Sequence, residues 1–294
     1  MKLGIGTAQF GLDYGLSNNF GKTPSTEVSK ILNLATLNGI HAIDTAYIYG
    51  KSEDVLGEIL SEQHNFDIIT KTPQFSKATL SRDDSEFLEN TFYNSLSRLR
   101  QSGIYALLVH NPNDLLVKNS HFLMEKMLFL KSQGLIKKIG VSVYTSEQID
   151  CILSKYSIDI IQVPINVLDQ RLLLSGHLSK LKTLGIEIHA RSIFLQGLLL
   201  MSREDIPSYF DSIKGHLNEY HNFIKNQGFS SLEAALSFMF SIDEIDICIC
   251  GVNNYQHLDE ILAAMNKVEL KFGKALARFS ISDKSILNPS DWRI

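Results

Sequence analysis

Ala106-Leu107-Leu108-Val109-His110 sets the reading of the whole chain. Four apolar residues without polar alternation describe a strand buried on both faces, as in a parallel sheet, and the run ends on an imidazole. Outward from it in both directions the same unit recurs: a short apolar run, a polar or glycine-containing turn, then a helical period. The runs fall at residues 3–7, 42–45, 67–71, 106–110, 138–143, 160–164, 187–192 and 246–250. Helical stripes separate them: Val28, Ile31, Leu32 and Ala35 in one, Leu88, Phe92, Leu96 and Leu99 in another, and Leu232, Ala235, Leu236 and Met239 in a third. Thr23-Pro24 offers a capping hydroxyl before an N1 proline, and Ser52 reads as the cap of the helix after the second strand. Eight strand-then-helix units without a break in composition predict an α/β fold of one domain, a closed (β/α)8 TIM barrel. The barrel takes roughly residues 1–270, and the remainder, 271–294, reads as a C-terminal tail. An open doubly wound sheet is the competing arrangement, but Gly4-Ile5-Gly6-Thr7-Ala8 lacks the third glycine and the acidic partner of a dinucleotide fingerprint.

One unit is overlong. After the seventh strand, residues 202–230 form an extended helical insertion in which Phe210, Ile213, Leu217, Tyr220 and Ile224 keep a helical period. It could lie at the barrel mouth as a lid or cover the outside of the barrel, and the sequence favours neither.

Composition narrows the function classes. The 294 residues are 44% hydrophobic and 20% charged, with a net charge of −4. A chain of this length buries roughly three quarters of its extended surface and needs no staples. Lys and Arg are scattered, which gives no basis for a nucleic-acid partner or an anionic membrane surface. The greasiest stretch, 193–201, contains Gln196 and Gly197 and is too short to span a bilayer. Lys2-Leu3-Gly4-Ile5-Gly6 lacks the pattern of a signal peptide, so a cytoplasmic protein is expected. The odd count of cysteines, Cys151, Cys248 and Cys250, argues against a disulfide framework. Cys248 and Cys250 share a strand face, but no second ligand pair stands at zinc spacing, so buried thiols and no metal are expected.

In a barrel of this kind the chemistry collects where strands end and loops begin. Ile43-Asp44-Thr45-Ala46 puts a carboxylate at the tip of the second strand, and Tyr49 follows five residues later. The third strand ends on Lys71 and the fourth on His110. Each has an ordinary explanation alone: a helix cap, a snorkelling ammonium, a core imidazole. Together they describe a mechanism. A tyrosine is a poor acid at neutral pH until a cation favours its phenolate. Lys71 can supply that cation, Asp44 can hold Lys71 charged and aimed, and His110 can orient a substrate oxygen. Such a quartet would protonate a carbonyl oxygen while hydride reaches the carbon, a step in which a placed acid contributes roughly 10²–10⁴ in rate.

Here a family resemblance enters. Ile43-Asp44-Thr45-Ala46-Tyr47-Ile48-Tyr49-Gly50-Lys51-Ser52-Glu53, followed by Val55-Leu56-Gly57, resembles the aldo-keto reductase signature with its catalytic Asp and Tyr. Ile69-Thr70-Lys71 and Val109-His110 resemble the segments that carry that family's Lys and His. The resemblance runs over roughly 3–262, the positions its motifs span, and implies a catalytic tetrad of Asp44, Tyr49, Lys71 and His110 with NADP(H) or NAD(H) as cofactor. For the nicotinamide carboxamide it implies Ser142 and Gln162, although Val143 stands where an Asn is usual. Gly185-Ile186-Glu187-Ile188-His189-Ala190-Arg191-Ser192 is similar to the seventh strand, except that Arg191 replaces the aromatic that stacks on the ring. Thr7, Ser192, Gln196 and Gly197 complete the phosphate side, while Gly251, Asn253, His257 and Glu260 form the adenosine side, without its common basic residues.

The expected partner is a small-molecule carbonyl compound. Phe10, Tyr14, Phe20 and Phe75 could wall its pocket, and the tail Ile286-Leu287-Asn288-Pro289-Ser290-Asp291-Trp292 resembles family members near sugar-modifying pathways, which implies a sugar or sugar-nucleotide carbonyl. Two other functions compete. One is a cofactor-free barrel lyase or isomerase with Lys71 as a Schiff base. The second is a cofactor-binding regulatory module with little turnover, which the Arg191 and Val143 departures would suit.

Overall fold

Strands that read as unbroken apolar runs can persist only where both faces are covered, and the computed structural model, which describes residues 2–60 and 64–292, covers them. Among the described residues β1 (Lys2–Gly6), β2 (Ala42–Asp44), β3 (Asp67–Lys71), β4 (Ile104–Val109), β5 (Ile136–Ser142), β6 (Ile160–Pro164), β7 (Glu187–Arg191) and β8 (Ile247–Gly251) pair in parallel and in sequence order. The pairing of β8 with β1 closes the barrel. The expected strand ends Thr7, Thr45, His110, Val143 and Ser192 lie just past the ladders, and β4 and β5 begin two residues earlier than expected.

Register decides which side chains meet. Positions two apart share a strand face, and in-register neighbours share it across strands. Gly6 pairs with Asp44 and Gly251, Lys71 with Leu108, Ser142 with Gln162, and Pro164 with Arg191. Of these, Gly6, Asp44, Lys71, Ser142, Gln162, Arg191 and Gly251 form the inward layer at the C-terminal ends of the strands. Beneath it, Ala42, Ile69, Ala106, Leu108 and Ile160 make a dry cluster. The outer faces, including Ile5, Ile43, Val109, Ile188 and the buried Cys248 and Cys250, belong to the larger core shared with the helices. Toward the other pole Glu187 pairs with Lys138, accepts from Tyr105 Oη at 2.7 Å and lies 2.6 Å from His189 Nε2.

The helical stripes are buried as their spacing requires: Val28, Ile31, Leu32 and Ala35 on Ser25–Leu37; Leu88, Phe92, Leu96 and Leu99 on Arg82–Leu99; Ala235, Leu236 and Met239 on Ser231–Phe240, where the expected Leu232 is only partly buried and lines the cavity instead. Two expected caps are different. Pro24 occupies the N-cap of Ser25–Leu37, and the Thr23 hydroxyl instead donates to Asn253 O at 3.0 Å. Ser52 is the first residue inside Ser52–Ile59; its hydroxyl bonds to Thr7 O at 2.9 Å and accepts from Thr45 Oγ1 at 3.1 Å. Both hydroxyls tie loops across the barrel mouth, because a long-range oxygen lies nearer than the helix's own amides.

The insertion contains a 3-10 turn (Ser208–Ile213) and a helix (Lys214–Asn226), with Phe210, Ile213, Leu217, Tyr220 and Ile224 all buried. Tyr220 and Phe223 each pack 5.4 Å from Phe279, and Phe210 packs 4.9 Å from Trp292, so the insertion sits under the tail. No residue of 202–230 lines the central cavity, which removes the lid reading. Among the described residues no helix is long and apolar enough to cross a membrane.

Candidate active site

A cavity of about 630 Å³ opens over the C-terminal ends of the strands. Asp44, Tyr49, Lys71 and His110 line it, and so does every residue expected to hold a cofactor: Thr7, Ser142, Gln162, Arg191, Ser192, Gln196, Gly197, Gly251, Asn253, His257 and Glu260. Strand-end placement explains the convergence, since adjacent parallel strands deliver their final inward side chains to one rim.

The most tightly determined part is an ion pair. Lys71 Nζ lies 2.7 Å from both carboxylate oxygens of Asp44 and 2.8 Å from Thr45 O, so three oxygens meet its three N–H groups. The side chains are 1% and 6% exposed. Gln162 Nε2 donates to Asp44 Oδ1 at 2.7 Å and fixes the carboxylate from the far side. Burial pushes the Lys71 ammonium below the ordinary lysine range, and Asp44 opposes this. The Schiff-base reading therefore fails on geometry: the amine is inaccessible and its donors are committed.

Tyr49 stands on the loop after β2. Gly11 makes room for that loop, since a Cβ there would lie 1.8 Å from Tyr49 O. The Tyr49 ring packs edge-on against His110 at 5.9 Å, and Lys71 Nζ lies 5.1 Å from its centroid. Among the described residues its hydroxyl has no hydrogen-bond partner. Burial first, then Asp44, raises the phenol above the ordinary tyrosine range, and Arg191 is the cation that opposes the rise. Lys71 is itself paired with Asp44, and its Nζ stands beside the Tyr49 ring. Burial pushes His110 down to about 3, with Lys71 and Arg191 adding to the effect, so the imidazole is neutral. Its Nδ1 is buried without a partner.

Several cofactor candidates are already engaged. The Thr7 hydroxyl is fully buried and donates to Asp44 O at 3.0 Å, so it pins the first two loops together. Asn166 Nδ2 donates to Ser192 O at 3.1 Å and holds the loop after β7. That loop carries positive φ at Ser192 (58°), Leu195 (48°), Gln196 (52°) and Gly197 (96°). It meets the loop after β1 through Leu16 N–H to Gln196 O at 3.0 Å, and together they roof part of the cavity. Of the four aromatics expected as walls, Tyr14 and Phe20 line the cavity. Phe10 is buried in the core and Phe75 packs against Phe87, so these two do not. Tyr144, Phe194 and Pro289-Ser290 line it and were not anticipated. Tyr144 follows directly on the strand-end pair Ser142-Val143 and could have been noticed; Pro289-Ser290 belong to the tail whose resemblance suggested a substrate class, but nothing local marks them as cavity-lining.

The site has the shape and polarity for a dinucleotide. Gly6 and Gly251 leave strand-end backbone bare, and a Cβ on Gly251 would lie 2.6 Å from Gln9 Nε2. The model of the Aldo/keto reductase family matches residues 2–272. The chain is 29% identical over 178 residues to the aldo-keto reductase YhdN of Bacillus subtilis, a match covering 58% of this chain and 52% of YhdN. It thus spans about half the length of that curated relative. The holo form of the aldo-keto reductase AKR11C1 from Bacillus halodurans superimposes with a TM-score of 0.72 at 18% identity, covering 96% of this chain and 94% of that one. The structure of PA4992 of Pseudomonas aeruginosa superimposes with a TM-score of 0.66 at 25% identity, covering 90% of this chain and 89% of that one. The chain belongs to the aldo/keto reductase family.

Proposed function

We propose that the protein reduces an aldehyde or ketone to an alcohol with NADPH or NADH, and that Tyr49 is the proton donor. One observation carries this reading: Tyr49 lines the cavity and, among the described residues, its hydroxyl has no hydrogen-bond partner, so its proton is free for a carbonyl oxygen. Lys71 is locked by three oxygens and His110 is neutral. Ser142 and Gln162 would hold the nicotinamide carboxamide, and Asn253, His257 and Glu260 the adenosine end. A reduced nicotinamide, when bound, supplies the hydride. Tyr49 Oη passes its proton to the carbonyl oxygen, which becomes far more basic than a phenolate as the alcohol forms. His110 holds that oxygen through the ring nitrogen open to the cavity. Steady-state turnover of an aldehyde panel with each reduced cofactor tests the reading; cofactor binding without turnover would support the regulatory module instead.

The titration directions give a pH prediction. The folded-state pKa of His110 is depressed, so the ring is neutral from alkaline pH down to about 3. Tyr49 is raised, so its proton stays in place above neutrality. Reduction should therefore run with a flat kcat/KM from about pH 5 to about pH 9, because neither group titrates there. A limb near the ordinary histidine pKa in the kcat/KM profile would show that His110 acts as an acid.

Cofactor choice gives another. A 2′-phosphate is usually gripped by Arg or Lys. The cavity's adenosine end offers Asn253, His257 and Glu260, and the nearby Lys30 is paired with Glu27 at 2.6 Å. Glu27 also accepts from Tyr255 N–H at 3.1 Å. Neutral donors give weaker contacts than ionised ones, so NADPH should be preferred over NADH by about tenfold or less, or roughly 1.4 kcal/mol. Fluorescence titration of the cofactor-free protein with each reduced dinucleotide decides this; a preference above about a hundredfold would mean that Lys30 leaves Glu27 for the phosphate.

A further inference from the structure

Arg191 is the charged side chain at the reaction end of the cavity that has no opposite charge beside it among the described residues. Its neighbours there, Lys71 and Asp44, neutralise each other. Arg191 instead donates Nε to Ser142 Oγ at 3.3 Å, Nη1 to Ser192 Oγ at 3.3 Å and Nη2 to Val143 O at 3.1 Å. Its Cζ lies 4.3 Å from the centre of the Tyr144 ring. All three acceptors are neutral and two of the bonds are long. A guanidinium has five N–H donors, so part of the fork is unspent.

A half-buried cation without a counter-ion is desolvated with little return. Here the stack on Tyr144 and the three hydrogen bonds hold it still, so an incoming anion meets a fork already oriented and loses little ordering entropy. The hydroxyls of Tyr14 and Ser192 belong to the same cavity and can donate to the anion's remaining lone pairs. The charge is not screened from the reaction centre: it opposes the upward shifts of Tyr14 and Tyr49 and deepens the downward shift of His110. The reacting end thus has a net positive field and no carboxylate free to reject an acid.

We propose that Arg191 anchors an acidic group of the substrate, so that the enzyme acts on carbonyl compounds bearing a carboxylate or phosphate. The proposal rests on the reductase reading. The competing source of the anion is the cofactor's own pyrophosphate.

Matched pairs of aldehydes test it: succinic semialdehyde against butanal for the carboxylate, and glyceraldehyde 3-phosphate against glyceraldehyde for the phosphate. The ratio of kcat/KM within each pair is measured at saturating reduced cofactor. Wild type should favour the anionic member of at least one pair by about tenfold or more, and the preference should shrink as salt rises. The pair that shows it assigns the anion. Arg191→Gln should cut that ratio at least about tenfold whatever happens to the absolute rates, and Arg191→Lys should restore part of it. Unchanged ratios in Arg191→Gln, or no anionic preference in wild type, overturn the proposal. So does a rise in cofactor Kd with the ratios intact, which would give Arg191 to the pyrophosphate. Equilibrium binding of 4-hydroxybutyrate against 1-butanol supplies a readout without turnover. If wild type reduces none of the aldehydes but binds 4-hydroxybutyrate in an Arg191-dependent way, the reductase reading fails and the anion site stands. If it does neither, both fail.

Discussion

Tyr49→Phe should lower kcat for a good aldehyde by roughly 10²–10⁴, the share of a rate that a placed acid supplies, while leaving the Kd of the reduced cofactor within a few-fold. The substitution removes one hydroxyl and nothing else of consequence. The ring that stays keeps its edge contact with His110 and its place beside Lys71. Because the lost hydroxyl has no protein partner among the described residues, no buried acceptor is stranded, and Tm should hold within about 2 °C. Activity and stability are therefore predicted to separate. A variant that keeps a tenth or more of the wild-type kcat would show that the proton comes from elsewhere. A large fall in Tm would show that the hydroxyl is structural.

Lys71→Met should do the opposite and damage both. The ammonium is the centre of a buried arrangement in which Asp44 takes two of its three contacts. Removing one partner of a buried pair leaves the other charge uncompensated, at a cost of about 3–5 kcal/mol. Gln162 remains as a donor to Asp44 but brings no charge. At a few degrees per kcal/mol, the variant should melt about 10 °C below wild type. Turnover should fall at least about a hundredfold, since the orphaned Asp44 charge raises the Tyr49 phenol further and the ring loses its support. The double variant Lys71→Met/Asp44→Asn checks the cause: it should recover most of the lost Tm, because the unpaired charge is gone, and part of the activity, because no carboxylate then raises the Tyr49 phenol. Differential scanning calorimetry with single-turnover kinetics reads both quantities. Wild-type rates in the single variant would refute the role of the pair, and a double variant no more stable than the single one would refute the electrostatic origin.

The barrel was legible from the chain alone because its strands are covered on both faces. That condition writes itself into local composition as apolar runs such as Ala106 to Val109, and the helices between them carry stripes at the helical spacing. The candidate quartet was legible for a related reason. A charged or imidazole side chain that ends such a run can only be placed at the rim, so Asp44, Lys71 and His110 announced themselves by breaking the pattern. Strand ends were less sharp: Thr7, Val143 and Ser192 each lie one residue past the strand, and the Thr7 and Val143 amides still bond to the neighbouring strand.

Long-range partners were beyond the sequence. Ser52 and Thr23 look like helix caps locally, and only the fold brings Thr7 and Asn253 to their hydroxyls. The period of residues 202–230 announced a helix, but the aromatic contacts with Phe279 and Trp292 decided that it lies under the tail and away from the cavity. Arg191 was visible as a departure from an expected aromatic; that it has no acidic partner among the described residues, stacks on Tyr144 and acts on Tyr49 through space follows from the closure of β5, β6 and β7. What the sequence determined by itself is whatever burial imprints on neighbouring residues: the strands, the helical faces and the strand-end charges. What the tertiary structure decided is the state of each charge, because desolvation and Coulomb interaction depend on atoms far apart in the chain and close in space.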